Sequence, residues 1–502
     1  MPHNVVLLPL ILIPLATALV LVAVPSRYAN AVRYIAFASG VALFGLSLYV
    51  FFQYQFGSGD SVFQFEGRWP WLQNVGFLGD NGITLHLGVD GISAVMVLLN
   101  GIVTFTGVLI SWKIAYRNKD FFILFFALVA GVFGTFVSLD LFFFFFFYEL
   151  AVLPMFLLIA IWGSSSRFAT FVRTKEYGAM KLTLYLVAAS VLIFIGIFAV
   201  FTKANIGTFD LPALYGVQFS PGFQKAVFPL FLLGCGVLAG LWPFHTWSPD
   251  GHVAAPTAVS MLHAGVLMKL GAFGIIRLGI QLLPEGAQFW MPAVMVLALT
   301  NVLYGSISAL AQRDFKYMIG YSSVSHMGYV LMGLATLNTI GMNGAVLQMF
   351  SHGVMTALMF AMVGSVYDQA HTRDMSLFGG LANKMPRFTA FFAIACLASL
   401  GLPGLSGFVA EFHIFVGTFH TYPVFGALAI FGAAITATYI LRMLAMAFFG
   451  PFNEKWSKLV EMTRWEQAAG AILVFFILFM GIWPAPFIDR ISHTVLTLAA
   501  LR

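Results

Sequence analysis

Charge is scarce in this chain. Asp, Glu, Lys and Arg make up 9% of its 502 residues, against about 25% in a soluble domain. Too few polar side chains remain to cover a water-facing surface. Cysteine is scarcer still, with Cys235 and Cys396 alone. Two thiols fall short of the roughly four ligands of an iron–sulfur cluster and make no disulfide framework. Both therefore read as small packing residues inside apolar runs. No glycine-rich nucleotide fingerprint follows a strand-like segment, so no flavin or dinucleotide site is expected here. The net charge of +6 falls in loops between apolar runs and does not point to nucleic acid. No basic segment precedes the first apolar run, which reads as a retained helix and not a cleaved signal.

Apolar sequence is what the chain has. It is 60% hydrophobic, with a mean hydropathy of +0.93. Fourteen runs, each near the roughly 20 residues that span a bilayer as a helix, lie at about 5–24, 32–53, 89–110, 121–138, 140–162, 182–201, 226–244, 256–282, 292–312, 317–334, 340–366, 389–420, 424–449 and 467–487. This predicts an all-α polytopic membrane protein, one membrane domain over 1–502. Lys and Arg accumulate in cytoplasmic loops. Loops after odd-numbered spans hold most of the 25 basic residues, while the other side holds Arg68, Lys203, Lys225, Arg277, Arg490 and Arg502. Both termini are therefore expected away from the cytoplasm. So is the loop of about 54–88, with Asp60, Glu66 and Asp80.

Two segments do not read as simple spans. Gly240 to Ser260 carries prolines at 243, 249 and 256, and Ser399 to Phe412 carries three glycines and a proline. Proline removes a helix hydrogen bond and glycine weakens a helix. Freed backbone at membrane depth is tolerated only against protein or a wet cavity. Interruptions in spans seven and twelve suggest inverted repeats, as in many transporters. The repeats would be spans four to eight (121–282) and nine to thirteen (292–449). A proline kink without function is the alternative.

Glu149 sits in span five behind six consecutive phenylalanines, Lys269 in span eight and Glu411 in span twelve. His263, His326 and His352 also fall in spans. A charge at mid-bilayer costs at least about 2.5–3.5 kcal/mol, so these residues belong in the bundle interior. There, burial and neighbouring charge act against each other on an acid or base, as proton transfer requires. A Glu, Lys, His, Glu row suits a proton relay with water in the gaps. The alternatives are an ion pair for Glu149 and interhelical hydrogen bonds for His326 and His352. Arg442 reads as a pair-forming residue, and the phenylalanines as lipid-facing or packing surface.

The stretches FYELAVLPMF, PFHTWSPDGHVAAPTAVSMLHAGVLMKLGAFG, DFKYMIGYSSVSHMGYV, LQMFSHGVMTALMFAMVGSVYDQAHTRDM, GGLANKMP and GLPGLSGFVAEF resemble the NuoM type of antiporter-like subunit of respiratory complex I, the NADH-quinone oxidoreductase. The resemblance runs over about 85–450. It implies fourteen helices in two inverted five-helix repeats, broken helices seven and twelve, and one proton channel. By the same resemblance Glu149 is the essential helix-five glutamate, Lys269 the central lysine and Glu411 the terminal proton carrier. His245 matches the histidine of the family's helix-seven loop, and His326 and His352 match its connecting histidines. One position departs: the family's helix-seven lysine, which pairs with the glutamate, is Leu238 here, and nothing basic lies between Lys225 and His245. His263, unusual on helix eight, is a candidate to take over part of that role.

The resemblance implies a proton-translocating subunit of an NADH- or ferredoxin-linked quinone oxidoreductase, with no cofactor in this chain. Flavin, iron–sulfur clusters and quinone are expected in partner subunits. The partners implied are the bilayer and other complex I membrane subunits, homologous antiporter-like ones among them. A cation/proton antiporter subunit of Mrp or membrane-hydrogenase type is the alternative, and a membrane spacer a third. The bacterial inner membrane is the expected location, an organellar inner membrane the alternative.

Overall fold

The computed structural model describes residues 5–57, 62–79, 82–167 and 172–500. Asp60 and Asp80 lie outside the described residues. Every one of the fourteen runs is helical. In order they are α1 (Leu8–Ala23), α2 (Ala29–Gln53), α3 (Gly91–Ile110), α4 (Asn118–Val137), α5 (Leu141–Trp162) and α6 (Lys175–Ala204). Next come α7a (Pro221–Leu238), α7b (Trp247–Ala254), α8 (Thr257–Ile280), α9 (Pro284–Leu310), α10 (Phe315–Ala335) and α11 (Thr339–Ala370). The series closes with α12a (Pro386–Ser399), α12b (Ser406–Thr421), α13 (Pro423–Ala447), α14 (Arg464–Ile482) and α15 (Ala485–Ala500).

Among the described residues, 11 helices are long and apolar enough to cross a membrane. The shortfall from fourteen has local causes. Helix α1 has 16 residues and stops before Pro25, because the residue before a proline leaves the helical region. Helix α10 has 21 residues, but Ser322, Ser323, Ser325 and His326 lower its apolarity. The twelfth run is split at Gly401 and Gly404, whose φ angles are +75° and +90°. Asp and Asn side chains set several starts: Asp90 caps α3, Asp140 caps α5, Asp314 caps α10 and Asn338 caps α11, each satisfying orphan N–H groups. Helix α6 begins earlier than its apolar run, since the Thr174 side chain caps it. Lys175 and Lys181 thus belong to a helix and not to a loop.

The core of the bundle is α3, α8 and α11. The apolar windows of α8 and α11 are 100% buried, and that of α3 is 94% buried. Helices α2 and α13 show most of their surface to the outside, at 33% buried. Helix α8 contains two π turns, His263–Leu267 and Ile275–Ile280, a distortion frequent at functional sites. The phenylalanine run of α5 divides between roles: Phe144 and Phe147 are buried and Phe146 is exposed. Both cysteines are buried and free.

A paired feature recurs along the chain. Asp140 bridges to Asp210, and Asp314 bridges to Asp374, both antiparallel. Around the first, Leu141 N donates to Phe209 O and Leu211 N to Leu139 O; around the second, Phe315 N donates to Arg373 O and Met375 N to Arg313 O. The bridges stand before α5 and α10, the second helices of the two expected repeats.

Two expectations about charge are corrected. Arg277 does not lie in a loop after span eight. It lies inside α8, 1% exposed, with Nη1 2.6 Å from Oδ2 of Asp90, itself 0% exposed. Its charge is tolerated at that depth because a carboxylate is built opposite. Arg442 pairs with no carboxylate among the described residues; its Nη1 donates to the Leu310 carbonyl at the end of α9. The 54–88 loop contains a hairpin of β1 (Gln64–Leu72) and β2 (Ile83–Val89). Buried His86 of β2 bonds Glu66 at 3.0 Å and Asp210 at 2.5 Å.

Candidate functional site

A continuous line of buried polar side chains crosses from α8 to α12b. Lys269 projects from α8 with no exposure. Its Nζ donates to the Ala264 carbonyl, a group made accessible by the π turn beside it, and lies 2.6 Å from His352 Nδ1. An ammonium only donates, so with Lys269 charged His352 Nδ1 accepts and the ring proton sits on Nε2. That nitrogen is buried and has no partner among the described residues. The His326 ring of α10 follows, 5.3 Å centroid to centroid from His352.

His326 is held in two ways. Gln348 Nε2 lies 3.1 Å from Nδ1, and Ser399 Oγ lies 3.0 Å from Nε2. Gln348 and His352 are four residues apart on α11 and so share a face. Glu411 Oε1 is 3.4 Å from the same Nδ1. With the amide donating to Nδ1, the carboxylate has no proton to accept there. Nδ1 of this ring thus faces both an amide and an acid.

Glu411 is 5% exposed at the start of α12b, beside the break. A Cβ on Gly401 would stand 2.8 Å from Glu411 Oε2, and Gly401 has φ of +75°. The break therefore needs glycine twice over, for its left-handed backbone and for room beside the carboxylate. Ser351 and Ser406 pair at 2.8 Å next to it.

The other predicted residues stand apart from this row. Glu149 of α5 is half-buried, faces Ser190 of α6, and its Oε1 has no partner among the described residues. No cation pairs with it among the described residues, and Leu238 is fully buried. His263 of α8 has its ring contacts with His252 at 4.0 Å and Trp247 at 5.2 Å, and no hydrogen bond joins it to Glu149. His245, in the α7 break, is 2% exposed, with Tyr304 edge-on at 4.9 Å. Both its ring nitrogens lack partners among the described residues.

Three groups were not singled out from sequence. His252 of α7b is fully buried with both ring nitrogens unpartnered among the described residues; its place seven residues after His245 on a short helix was the available signal. Lys316 looks like a loop residue beside Asp314, yet it is 3% exposed in the first turn of α10. Asp250 of α7b is gripped by Arg173, by Lys181 at 2.8 Å and by Tyr317 at 3.1 Å. That cluster ties α7b to α6 and α10.

A polytopic helical bundle with a buried ammonium–imidazole–imidazole–carboxylate row ending at a helix break is built as an ion-translocating membrane unit. The chain belongs to the NADH:quinone oxidoreductase/Mrp antiporter transmembrane family, whose model matches residues 138–436. It is 37% identical over 450 residues to NAD(P)H-quinone oxidoreductase chain 4-3 of Nostoc sp., covering 88% of this chain and 77% of that one. Its structure is similar to a chain of respiratory complex I from Thermus thermophilus, with a TM-score of 0.87, 25% identity, and 98% and 99% of the two chains covered. It shares its fold with a chain of the Mrp complex from Dietzia sp., at a TM-score of 0.85, 18% identity, and 99% and 98% covered. The expected likeness to complex I antiporter-like subunits is borne out.

Proposed function

We propose that this chain carries protons as an antiporter-like subunit of an NADH- or ferredoxin-linked quinone oxidoreductase. The observation that carries the reading is the unbroken contact series Lys269, His352, His326, Glu411. Each member binds and releases a proton, and each is held by fixed partners in a closely packed interior. Glu149 and His245 flank the row and connect to it through water. Support comes from their buried, unpartnered polar atoms, since such atoms are where interior waters bind. His263 joins through His252.

Redox chemistry takes place in partner subunits, which hold flavin, iron–sulfur clusters and quinone. In support, two buried cysteines are too few to ligate a cluster. The other partners are membrane subunits of the same complex, homologous antiporter-like ones included. Charge shifts started by quinone reduction reach this chain across those contacts. The fourteen helices form two inverted repeats, 121–282 and 292–449, a division supported by the recurring aspartate bridges before α5 and α10. Both termini face away from the cytoplasm of a bacterial inner membrane, on the strength of the basic-residue bias.

The test is NADH-driven proton uptake in inverted membrane vesicles, wild type against Lys269→Met, with assembly checked on native gels. Uptake is expected to fall further than quinone reduction in an assembled complex, so that fewer protons enter per NADH oxidised. If both persist while cation/proton exchange is lost, the chain is a secondary antiporter. If nothing changes, the row is structural.

A further inference from the structure

We propose that protons reach the row through a cavity at the lysine- and arginine-rich face, and that Lys316 is the group that takes them inward. The proposal rests on the relay reading above. It begins with a gap: where the resemblance calls for a basic partner to Glu149, Leu238 is fully buried, and no cation pairs with Glu149 among the described residues. Lys316, buried in the first turn of α10, is a cation placed at a cavity. A cavity of about 360 Å3 lies between the ends of α3, α5, α11 and the starts of α8, α10 and α14. Its lining includes Lys113, Lys316, Ser365, Asp368, His371 and Glu466.

Several features mark it as a site for water and protons. Ser365 Oγ is buried, lines the cavity and has no partner among the described residues. Lys316 Nζ donates to Ala255 O at 2.7 Å and lies 3.4 Å from Ser260 Oγ. It forms no salt bridge among the described residues; the charges it faces are Asp314, Asp368 and Arg373. An ammonium has three protons, which leaves one for cavity water. Ser260 Oγ in turn donates to the His252 carbonyl at 2.9 Å. The His252 ring has two unpartnered nitrogens and lies 4.0 Å from His263. Lys113 and Glu466 of the lining form a 3.0 Å ion pair, and Thr463 holds the other Glu466 oxygen at 2.6 Å.

The transfer balances without a co-reactant other than water. Neutral Lys316 Nζ gains a proton as a cavity water loses one, and that water is reprotonated from the bulk at the basic face. The ammonium then gives up a proton on its inner side, through water, as a ring nitrogen of His252 gains it. Arginine at this position keeps the charge but holds its protons.

The experiment measures protons taken up per NADH oxidised, in inverted vesicles of the whole complex. Lys316→Met and Lys316→Arg are both expected to lower the ratio with assembly retained. In Ser365→Cys, labelling with N-phenylmaleimide is expected to lower it further than the same treatment of wild type. If Lys316→Arg keeps the wild-type ratio, Lys316 is a structural cation and the proposal is overturned. It is equally overturned if the thiol introduced by Ser365→Cys resists the reagent, or if its labelling, verified by mass, leaves the ratio intact. Glu411→Gln runs in parallel. If it lowers the ratio while the Lys316 and Ser365 variants do not, the access route alone fails. If it does not, the relay reading fails with it.

Discussion

Asp90→Asn removes one charge from the ion pair that joins α3 to α8. Arg277 Nη1 is 2.6 Å from Asp90 Oδ2, and the two residues are 1% and 0% exposed. Two unit charges about 3 Å apart attract by about 5.5 kcal/mol at an effective dielectric of about 20. Removing one partner of a buried pair costs about 3–5 kcal/mol, because the other charge stays behind without compensation. Asparagine caps a helix as well as aspartate, so acceptance from Ser93 N at 2.8 Å survives and the loss reports the charge alone. The stranded guanidinium keeps Ser93 Oγ at 2.8 Å, Gln281 at 3.0 Å and the Phe273 ring at 4.8 Å. The loss should therefore lie near the lower limit, about 3 kcal/mol. Adding Arg277→Met removes the stranded charge and should restore most of the stability. Equilibrium unfolding of the purified chain in mixed micelles, followed by tryptophan fluorescence, measures both. A single variant within about 0.5 kcal/mol of wild type, the range of an ordinary surface change, would refute the reasoning. So would a double variant no more stable than the single.

The break in α12 gives a paired prediction. Gly401→Ala meets both a left-handed backbone and the Glu411 carboxylate at 2.8 Å, whereas Gly404→Ala meets the backbone cost with no atom within 4 Å. Each should lose roughly 1–2 kcal/mol from the backbone, but only Gly401→Ala should also lower proton uptake per NADH. His352→Leu leaves the Lys269 ammonium with the Ala264 carbonyl as its single bonded partner. Uptake should fall at least as far as in Lys269→Met while the complex still assembles on native gels.

Much of this architecture was legible in the chain, because membrane helices need long apolar runs and breaks need proline or glycine. The α12 break could be read from Gly401, Pro403 and Gly404. The members of the row could be read too, since Lys269, His326, His352 and Glu411 are costly in an apolar run. Their adjacency was less open to reading, because it depends on how α8, α10, α11 and α12b are packed. Arg277 shows the limit most clearly. A charge at the end of an apolar run looks like the start of a loop, and nothing near it in sequence records that Asp90 is waiting on α3. Lys316 was hidden likewise, since its partners Ala255 and Ser260 come from α8 and the turn before it. Gln348 was missed because an amide in a membrane helix draws less notice than a charge, although its spacing from His352 was visible.

In the proposed relay Glu411 receives the proton that passes from Lys269 through His352 and His326. Glu411→Gln tests it most directly, because the amide keeps the shape beside Gly401 and cannot carry the charge. Protons taken up per NADH oxidised should be measured in inverted vesicles containing the assembled variant complex. The ratio should fall, with Glu411→Asp retaining more of it than Glu411→Gln. A wild-type ratio in the assembled Glu411→Gln complex would contradict it.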